Sequence, residues 1–289
     1  MKQSYYKSFS KYILGCLLFG SNGIVASFIA LDSYEIVLLH NLIGSSLLVI
    51  LFFLGKEKLT FYKKKKEFLW LAISGIALGL SWMLLYTAFD RIGVSISSLL
   101  YYCGPVIVMA LSPLLFKEKL TSFKVIGFLS VFCGIFLVNG NTFEGNGDAF
   151  GVLCGLLAAV MYSVMIIFNK KAEGIEGLEN ATLQLLMSCM TVAVFVGFKQ
   201  GYAISIPQSS ILPILVLGLL CSGMGSYFYF PSIGNLPAQT VAVCGYIEPL
   251  WAVLLSVLVL KEVMLPMQIV GAVMILGGAF FAECIKKKS

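Results

Sequence analysis

Charged side chains are scarce in this sequence. Asp, Glu, Lys and Arg make up 12% of its 289 residues, about half of the share that is usual in soluble domains. Hydrophobic residues make up 59%, and the mean hydropathy is +0.95. A soluble protein of this composition could not cover its surface with polar groups. Runs of about 20 apolar residues recur along the whole chain, and each can cross a bilayer as a helix. We therefore predict an all-α polytopic membrane protein.

The sequence also lacks the motifs of common catalytic and metal sites. It has no Gly-x-x-x-x-Gly-Lys-Ser/Thr loop, no Ser/His/Asp set and no His-Glu-x-x-His motif. The single histidine, His40, has no second ligand at a metal-binding spacing. All eight cysteines lie in or at the end of apolar runs, without a Cys-x-x-Cys pair, so they predict buried side chains. We expect no enzyme activity, no cofactor and no metal.

The apolar runs define ten candidate transmembrane helices, and Lys and Arg are distributed unevenly about them. The spans are 12–30, 34–54, 68–89, 95–116, 122–139, 149–168, 178–198, 210–231, 237–260 and 266–284. With the N-terminus in the cytoplasm, 17 of the 20 basic residues fall on the cytoplasmic side; the other three are Arg91, Lys199 and Lys261. Since cytoplasmic loops are rich in Lys and Arg, we predict a multi-pass protein of the cytoplasmic (inner) membrane with both termini cytoplasmic.

One segment of the chain occurs twice, 144 residues apart. Residues 93–139 match residues 237–283 without a gap. Each copy holds five predicted spans, an odd number, so the second copy must enter the membrane from the opposite side. We predict two inverted five-helix repeats, at 12–139 and 149–284, joined by an external linker at 140–148; duplicated membrane units are typical of transporters. The matched positions are Tyr102/Tyr246, Pro105/Pro249, Lys117-Glu118/Lys261-Glu262, Gly127/Gly271 and Gly134/Gly278.

The two matched prolines predict a break in the middle of a helix in each copy. Pro105 and Pro249 lack an N–H, which frees the carbonyls of Tyr101 and Gly245 four residues back. Lipid offers no partner for such a carbonyl. A break at the bilayer centre in both copies favours a cavity between them. A plain kink that shapes the bundle is the alternative.

The repeated order of Pro, Lys-Glu and two spaced Gly residues resembles the drug/metabolite transporter superfamily, specifically its ten-helix branch built from two EamA-type repeats. Phe19-Gly20-Ser21-Asn22 is similar to the aromatic-Gly-Ser-Asn segment of that family. The resemblance covers essentially the whole chain. It implies an inner-membrane carrier, often an exporter, that works by alternating access around a cavity lined by helices 1, 3, 4, 6, 8 and 9. Many relatives carry Arg at the position of His40, and Trp is common at the position of Phe19.

Glu248 is the leading candidate for a functional side chain. It is the only carboxylate predicted to lie deep inside an apolar span, and it directly precedes Pro249. An ionisable group at that depth is costly and suggests function: a proton carrier, or a counter-charge for a cationic substrate. A structural role, holding a neighbouring helix by hydrogen bonds, is equally open. His40 is a second candidate for coupling, although a lone histidine is more often simply packed and hydrogen-bonded.

Aromatic residues form the other candidate set. Trp82, Tyr86 and Phe89 share one face of the third span by their spacing. An aromatic wall with one carboxylate suits an organic cation or a planar amine-bearing metabolite. Ordinary interior packing and membrane-interface belts are the alternative. Asn169 and Gln184 lie near span ends, and we expect them at the interface. The candidate substrate-binding residues are Asn22, Trp82, Tyr86, Tyr101, Tyr102, Tyr162, Tyr227, Tyr246, Glu248 and Trp251.

Together these patterns predict a secondary transporter that exports a small amphipathic metabolite, such as an amino acid or an amine-containing compound. Alternating access is the expected mechanism, and proton coupling through Glu248 is a hypothesis. A lipid or lipid-carrier flippase, a non-transporting membrane scaffold and an intramembrane enzyme stay open as alternatives. The expected partners are a small-molecule substrate and membrane lipid, with Lys63 to Lys66 near anionic head groups. We expect no nucleic acid, and either a monomer or a homodimer.

Overall fold

The computed structural model describes residues 2–101, 103–116, 122–139, 148–261 and 265–284, and within them the regular secondary structure is helical. A 3-10 turn, Phe61–Lys63, precedes the fourth helix, and another, Gln208–Ser210, precedes the tenth. A π-helix, Leu217–Met224, follows the tenth helix. The α-helices are α1 (Lys2–Gly20), α2 (Asn22–Ala26), α3 (Ser33–Leu54), α4 (Lys65–Ile92), α5 (Val94–Tyr101), α6 (Cys103–Phe116), α7 (Ser122–Asn139), α8 (Ala149–Lys171), α9 (Gly177–Lys199), α10 (Ile211–Val216), α11 (Gly225–Ile233), α12 (Ala238–Gly245), α13 (Ile247–Val259) and α14 (Pro266–Cys284).

Several helical stretches are long and apolar enough to cross a membrane. Within the described residues there are six: Tyr5–Ala26, Ser33–Leu54, Lys65–Ile92, Ala149–Lys171, Gly177–Lys199 and Gln208–Ile233. Shorter apolar helices occur at Cys103–Phe116, Val125–Gly134 and Ile247–Val259. The prediction of a polytopic all-α membrane protein is thereby confirmed. The count of ten spans stays a prediction, because the remaining helices are shorter or adjoin residues outside the described ranges.

The first helix differs from its predicted bounds. It begins at Lys2 rather than at residue 12, and a turn at Ser21 separates α1 from α2. Tyr5 and Phe9, which precede the apolar run, stack with ring centroids 6.3 Å apart and pack against the core. The helix therefore extends in front of the predicted span, because these aromatic residues continue it before the apolar run begins.

A salt bridge and a helix cap join the ends of α4 and α8. The Arg91 guanidinium lies 2.6 Å from the Asp148 carboxylate. The same carboxylate accepts hydrogen bonds from the backbone N–H groups of Phe150 and Gly151, at 2.9 and 3.2 Å, and so caps α8. The hydrogen bond from Arg91, followed by those from the backbone, lowers the pKa of Asp148 below its ordinary value. The charge of Asp148 therefore contributes to holding α4 beside α8.

A buried carboxylate anchors the loop at the opposite end of α4. Glu179, in the first turn of α9, accepts hydrogen bonds from the Thr60 N–H at 2.5 Å, the Thr60 hydroxyl at 2.7 Å and the Phe61 N–H at 2.9 Å. Nearby, Lys64 donates to the Gly174 carbonyl at 2.5 Å. These bonds fasten the connection between α3 and α4 to the turn between α8 and α9.

Helices α7 and α14, which occupy equivalent positions in the two copies of the sequence repeat, pack against each other. The rings of Phe123 and Phe281 lie 5.6 Å apart, and the Ser130 hydroxyl donates to the Met274 carbonyl at 2.9 Å. A Cβ atom on Gly278 would lie 2.6 Å from the carbonyl oxygen of Gly127. Residue numbers rise along one helix as they fall along the other, so the pair is antiparallel.

A second packing arrangement occurs twice in the bundle. Gly44 of α3 lies against Ser222 and Gly223 of the π-helix, and Gly79 of α4 lies against Ser188 of α9. Adding the repeat offset of 144 to Gly44 gives Ser188, and adding it to Gly79 gives Gly223. The contact of Gly44 with Gly223 therefore has an equivalent in the contact of Ser188 with Gly79. In each contact, one residue comes from the first copy and the other from the second.

Candidate functional site

Three tyrosines form a buried, hydrogen-bonded layer in the interior of the bundle. The hydroxyls of Tyr162 and Tyr229 lie 2.8 Å apart. The Tyr12 hydroxyl lies 3.4 Å from that of Tyr229 and donates to the Val241 carbonyl at 2.8 Å. These residues connect α1, α8, α11 and α12. We call Tyr12, Tyr162 and Tyr229 the phenol layer. Sequence reasoning proposed Tyr162, named Tyr229 only as one of several aromatic residues in its helix, and missed Tyr12, because the spacing of tyrosines along separate helices does not show which faces meet.

Glu248 lies beside the phenol layer, at the start of α13. Its side chain is partly buried and is close enough to interact electrostatically with Tyr101, Tyr162 and Tyr229. The helix is interrupted at Tyr246, one residue before α13 begins. Pro249 follows this interruption within the first turn of α13, whereas in the first copy the position that corresponds to Tyr246, Tyr102, falls outside the described residues.

Close packing fixes the backbone of Glu248 against α1. A Cβ atom on Gly20 would lie 3.2 Å from the carbonyl carbon of Glu248 and closer still to its oxygen. Cys16, which precedes Gly20 by one turn of α1, is also close enough to Glu248 to interact with it electrostatically. The ring of Tyr101 meets that of Tyr162 edge to face, with centroids 5.0 Å apart. The structure thus brings Glu248, Tyr101 and Tyr162 together. Gly20, from the Phe19–Asn22 segment, lets α1 approach the backbone of Glu248 closely.

A second aromatic group surrounds His40 on α3. The His40 ring lies 4.6 Å from that of Trp82 and 5.8 Å, nearly parallel, from that of Tyr86. Tyr86 also contacts Phe89, with centroids 5.2 Å apart. Phe19 connects the two groups, because its ring lies 6.1 Å from Trp82 and 5.0 Å from Tyr229.

Two side chains of this second group carry buried polar atoms without partners among the described residues. Both ring nitrogens of His40 and the Tyr86 hydroxyl are buried, and neither side chain has a hydrogen-bond partner among the described residues. The same holds for Asn22 Oδ1 and for the hydroxyls of Ser222 and Ser226. A buried polar group left unpaired costs about 1–3 kcal/mol, so native proteins contain few of them. His40 is therefore packed, as a structural histidine would be, but it lacks the hydrogen bonds expected of one.

Some of the predicted aromatic residues lie away from these groups. The Trp251 indole donates to the Ser21 hydroxyl at 3.0 Å, and its ring lines an apolar groove of about 450 Å³ between α1, α13 and α14. The Lys11 ammonium lies 5.5 Å from the centre of the Tyr227 ring. Tyr246 is buried, and its hydroxyl has no partner among the described residues. Trp251 and Tyr227 therefore do not belong to one continuous aromatic wall with Trp82.

Asn169 and Gln184, which we expected at the membrane interface, are both buried. Asn169 donates to Asn180 at 3.1 Å and to Gln184 at 3.3 Å, while Gln184 donates to the Ser74 hydroxyl at 2.9 Å. Ser74 in turn donates to the Met165 carbonyl at 2.6 Å. These amide groups close to the span ends therefore connect α4, α8 and α9 inside the bundle, and their depth relative to the membrane interface stays a prediction.

Comparison with known proteins identifies the family. The model of the EamA-like transporter family matches residues 10–140 and 149–283, which together make up most of the chain. The chain belongs to the EamA-like transporter family. The resemblance to the drug/metabolite transporter superfamily is thereby confirmed, and the two matched regions correspond to the two copies of the repeat. Among the residues that the structure describes, no group of three or more His, Cys, Asp or Glu side chains is placed to hold a metal.

Similar proteins are known as transporters, without a named substrate. The uncharacterized transporter YxxF of Bacillus subtilis is 24% identical over 85% of this chain and 79% of its own length. An uncharacterized transporter of Clostridium kluyveri is 23% identical over 90% of this chain and 86% of its own length. A solved crystal structure covers 96% of this chain and 99% of its own, with a TM-score of 0.78 and 19% identity. That structure shows the fold alone.

Proposed function

We propose that this EamA-like membrane transporter exports a small amphipathic metabolite, with amino acids and other amine-bearing compounds as the leading class. The observation that carries the proposal is the carboxylate of Glu248, held inside the bundle beside the phenol layer. A charge at this depth is costly unless it has a partner. A substrate ammonium provides such a partner, and the nearby rings favour a cation by cation–π contacts.

We further propose that the chain crosses the cytoplasmic membrane ten times as two inverted repeats, with both termini in the cytoplasm. The antiparallel packing of α7 on α14 supports this arrangement, because equivalent helices are antiparallel when one copy is inverted. The recurrence of the Gly44–Gly223 contact as Gly79–Ser188 supports it independently. Two similar halves related in this way can rock about a shared site, which is the basis of alternating access in many carriers.

In this arrangement the two aromatic groups lie at different depths. Tyr12 and Tyr229 are nearer the cytoplasmic ends of their helices, while His40 and Tyr86 are nearer the external ends. The hydrogen-bonded phenol layer then closes the path from Glu248 to the cytoplasm. Export requires these hydrogen bonds to break so that substrate reaches Glu248 from inside. A proton and a substrate ammonium would neutralise the same carboxylate in turn, which gives proton coupling a simple physical basis.

Counterflow into proteoliposomes tests the proposal. Vesicles preloaded with a candidate amine should accumulate the labelled compound only when they contain the protein. We expect Glu248→Gln to lower the rate at least tenfold, and Glu248→Asp to keep part of it because the charge stays. Glu173→Gln, on an exposed loop between α8 and α9, is the matched control and should transport normally. A Glu248→Gln protein with the wild-type rate and pH dependence would remove Glu248 from the mechanism.

The groove beside Trp251 supports a second candidate function, lipid or lipid-carrier translocation. Leu17, Ile247 and Leu254 line this groove with Trp251, and its apolar character fits an acyl chain. A fluorescent-lipid flipping assay in the same vesicles separates the two functions. Leu254→Trp would fill the groove, so it should stop lipid movement if lipid is the substrate and leave metabolite counterflow intact otherwise.

A further inference from the structure

A second apolar groove lies between α4 and α8, outside the candidate site described above. It encloses about 370 Å³, and its lining includes Tyr34, Leu80, Leu157 and Phe195. We call it the Tyr34 groove. We propose that it binds an acyl chain of a zwitterionic phospholipid, whose phosphate pairs with the ammonium group of Lys199. The site rests on the proposed orientation of the chain, which places Lys199 at the outer surface of the membrane.

The groove has the length and the lining that one lipid leaflet requires. Phe150, in the first turn of α8, lines its shallow end, while Met161 of α8 and Leu80 of α4 line its deep end. Phe150 precedes Met161 by eleven residues, which span about 16 Å at a rise of 1.5 Å per residue. The hydrocarbon core is about 30 Å thick, so the groove reaches about halfway across it. Leu157 in its wall is 41% exposed, and the groove therefore opens onto lipid.

Lys199 supplies a positive charge at the shallow end of the groove. Its ammonium lies 3.5 Å from the centre of the Tyr34 ring and 5.8 Å from that of Phe195, and both rings line the groove. Lys199 is exposed, and no carboxylate of the described residues forms a salt bridge with it. Arg91, which lies over the ring of Phe150 in the same groove, is already paired with Asp148. Lys199 is therefore the cation that is available to a lipid phosphate.

The other polar groups near Tyr34 suit the rest of a zwitterionic lipid. Asp32 and Glu35 accept hydrogen bonds from the backbone N–H groups of Tyr34 and Asp32, at 2.9 and 3.1 Å, and their negative charges favour an amine in the head group. The Tyr34 hydroxyl lies 3.0 Å from that of Thr87, whose hydrogen has a nearer acceptor in the Met83 carbonyl at 2.7 Å. Tyr34 can therefore donate its own hydrogen to a lipid ester carbonyl.

Photocrosslinking in proteoliposomes tests the site with two matched lipids. One is a phosphatidylethanolamine that carries a diazirine in its acyl chain. The other is the diacylglycerol with the same chains, which lacks the phosphate and the amine. We expect the phosphatidylethanolamine to label Leu80–Leu84 and Leu157–Met161 about three- to fivefold more than the diacylglycerol does, because one lysine at a membrane surface contributes about this much to lipid binding.

Variants of the full-length protein separate the charge from the groove. Lys199→Gln should lower labelling by phosphatidylethanolamine to the diacylglycerol level and leave diacylglycerol labelling unchanged, whereas Lys199→Arg should keep both. Leu157→Trp fills the groove and should lower labelling by both lipids. Lys171→Gln is the matched control, because the Lys171 ammonium also lies over aromatic rings, 5.3 Å from Phe168 and 5.8 Å from Trp70, but at the other end of α8. It should not change labelling of the Tyr34 groove.

The results that would overturn the site differ from those that would overturn the orientation. Equal labelling by the two lipids, or labelling by phosphatidylethanolamine that Lys199→Gln leaves unchanged, would mean that bulk lipid alone fills the groove. The orientation is tested by adding the phosphatidylethanolamine to the outside of intact spheroplasts, where we expect the groove to be labelled. Labelling from the inner leaflet alone, still sensitive to Lys199→Gln, would contradict the orientation and leave the lipid site standing.

Discussion

The contact between Gly20 and Glu248 leads to a sharp prediction about packing and transport. Adding one methyl group by Gly20→Ala would place a Cβ 3.2 and 3.3 Å from the carbonyl carbon and Cα of Glu248, and inside 3.0 Å of its oxygen. All three are backbone atoms, so no side chain can rotate away. Helices α1 and α13 must therefore separate by about half an ångström or more, and overpacking of this kind costs about 1–3 kcal/mol.

That cost converts into a measurable loss of stability. A destabilisation of this size lowers the melting temperature by about 2–5 °C in a chain of this length. Because Gly20 touches the backbone of Glu248 itself, the shift also moves the carboxylate, and we expect counterflow to fall at least fivefold. Apparent melting temperatures in detergent and counterflow in vesicles can be measured on the same preparations.

A matched glycine provides the control. Gly277 on α14 is exposed, and a Cβ atom there would meet nothing within 4 Å. Gly277→Ala should therefore melt within about 1 °C of the wild type, since alanine is also the better helix former. If Gly20→Ala were as stable and as active as Gly277→Ala, the close packing of α1 on α13 would be refuted.

Three further predictions concern the anchors of the bundle. Glu179→Ala removes the hydrogen-bond acceptor for Thr60 and Phe61, so it should lower the free energy of unfolding by about 1.5–3 kcal/mol. The melting temperature should fall accordingly, with Glu179→Gln between Glu179→Ala and the wild type. Equal melting temperatures for the wild type and both variants would contradict this prediction. The Asp148 carboxylate, whose pKa is lowered in the folded state, stabilises the protein above the ordinary aspartate pKa of about 3.9, and this contribution disappears as the pH falls through the lowered value. The difference in melting temperature between wild type and Arg91→Ala should therefore be largest near neutral pH and shrink in acid, whereas a constant difference would exclude the pair as its cause. Tyr229→Phe breaks the phenol layer and should make buried Cys16 react severalfold faster with N-ethylmaleimide; an unchanged rate would mean that the layer does not close this path.

The helical architecture of the described residues could be predicted from hydrophobicity alone. Lipid provides no hydrogen bonds to the backbone, so an apolar run of sufficient length must be helical. An interruption before α13 was expected for another reason, because Pro249 lacks the N–H that would bond to the carbonyl of Gly245. The π-helix at Leu217–Met224 carried no comparable signal, because its sequence reads as an ordinary apolar helix. The start of α1 at Lys2 also escaped prediction, since the apolar run does not begin until residue 12.

The candidate site could be predicted only in part, because composition does not reveal which helix faces meet. Glu248 was identifiable because a charge inside an apolar run is expensive wherever it points. Trp82 and Trp251 looked equivalent in the sequence, yet one packs on His40 and the other lines an outer groove. Tyr12 was missed for the same reason, since its importance depends on contacts with residues more than 200 positions away.

If the two halves cross the membrane in opposite orientations around one site, equivalent residues must lie on opposite sides. Ser122 and Pro266, the first residues of α7 and α14, are related by the 144-residue offset, and both are exposed. A single cysteine can be placed at either position in a protein without its eight native cysteines and treated with a membrane-impermeant maleimide. In intact spheroplasts we predict labelling at position 266 alone, with position 122 labelled only after permeabilisation. Labelling of both positions from the same side would contradict the inverted arrangement and the shared site that depends on it.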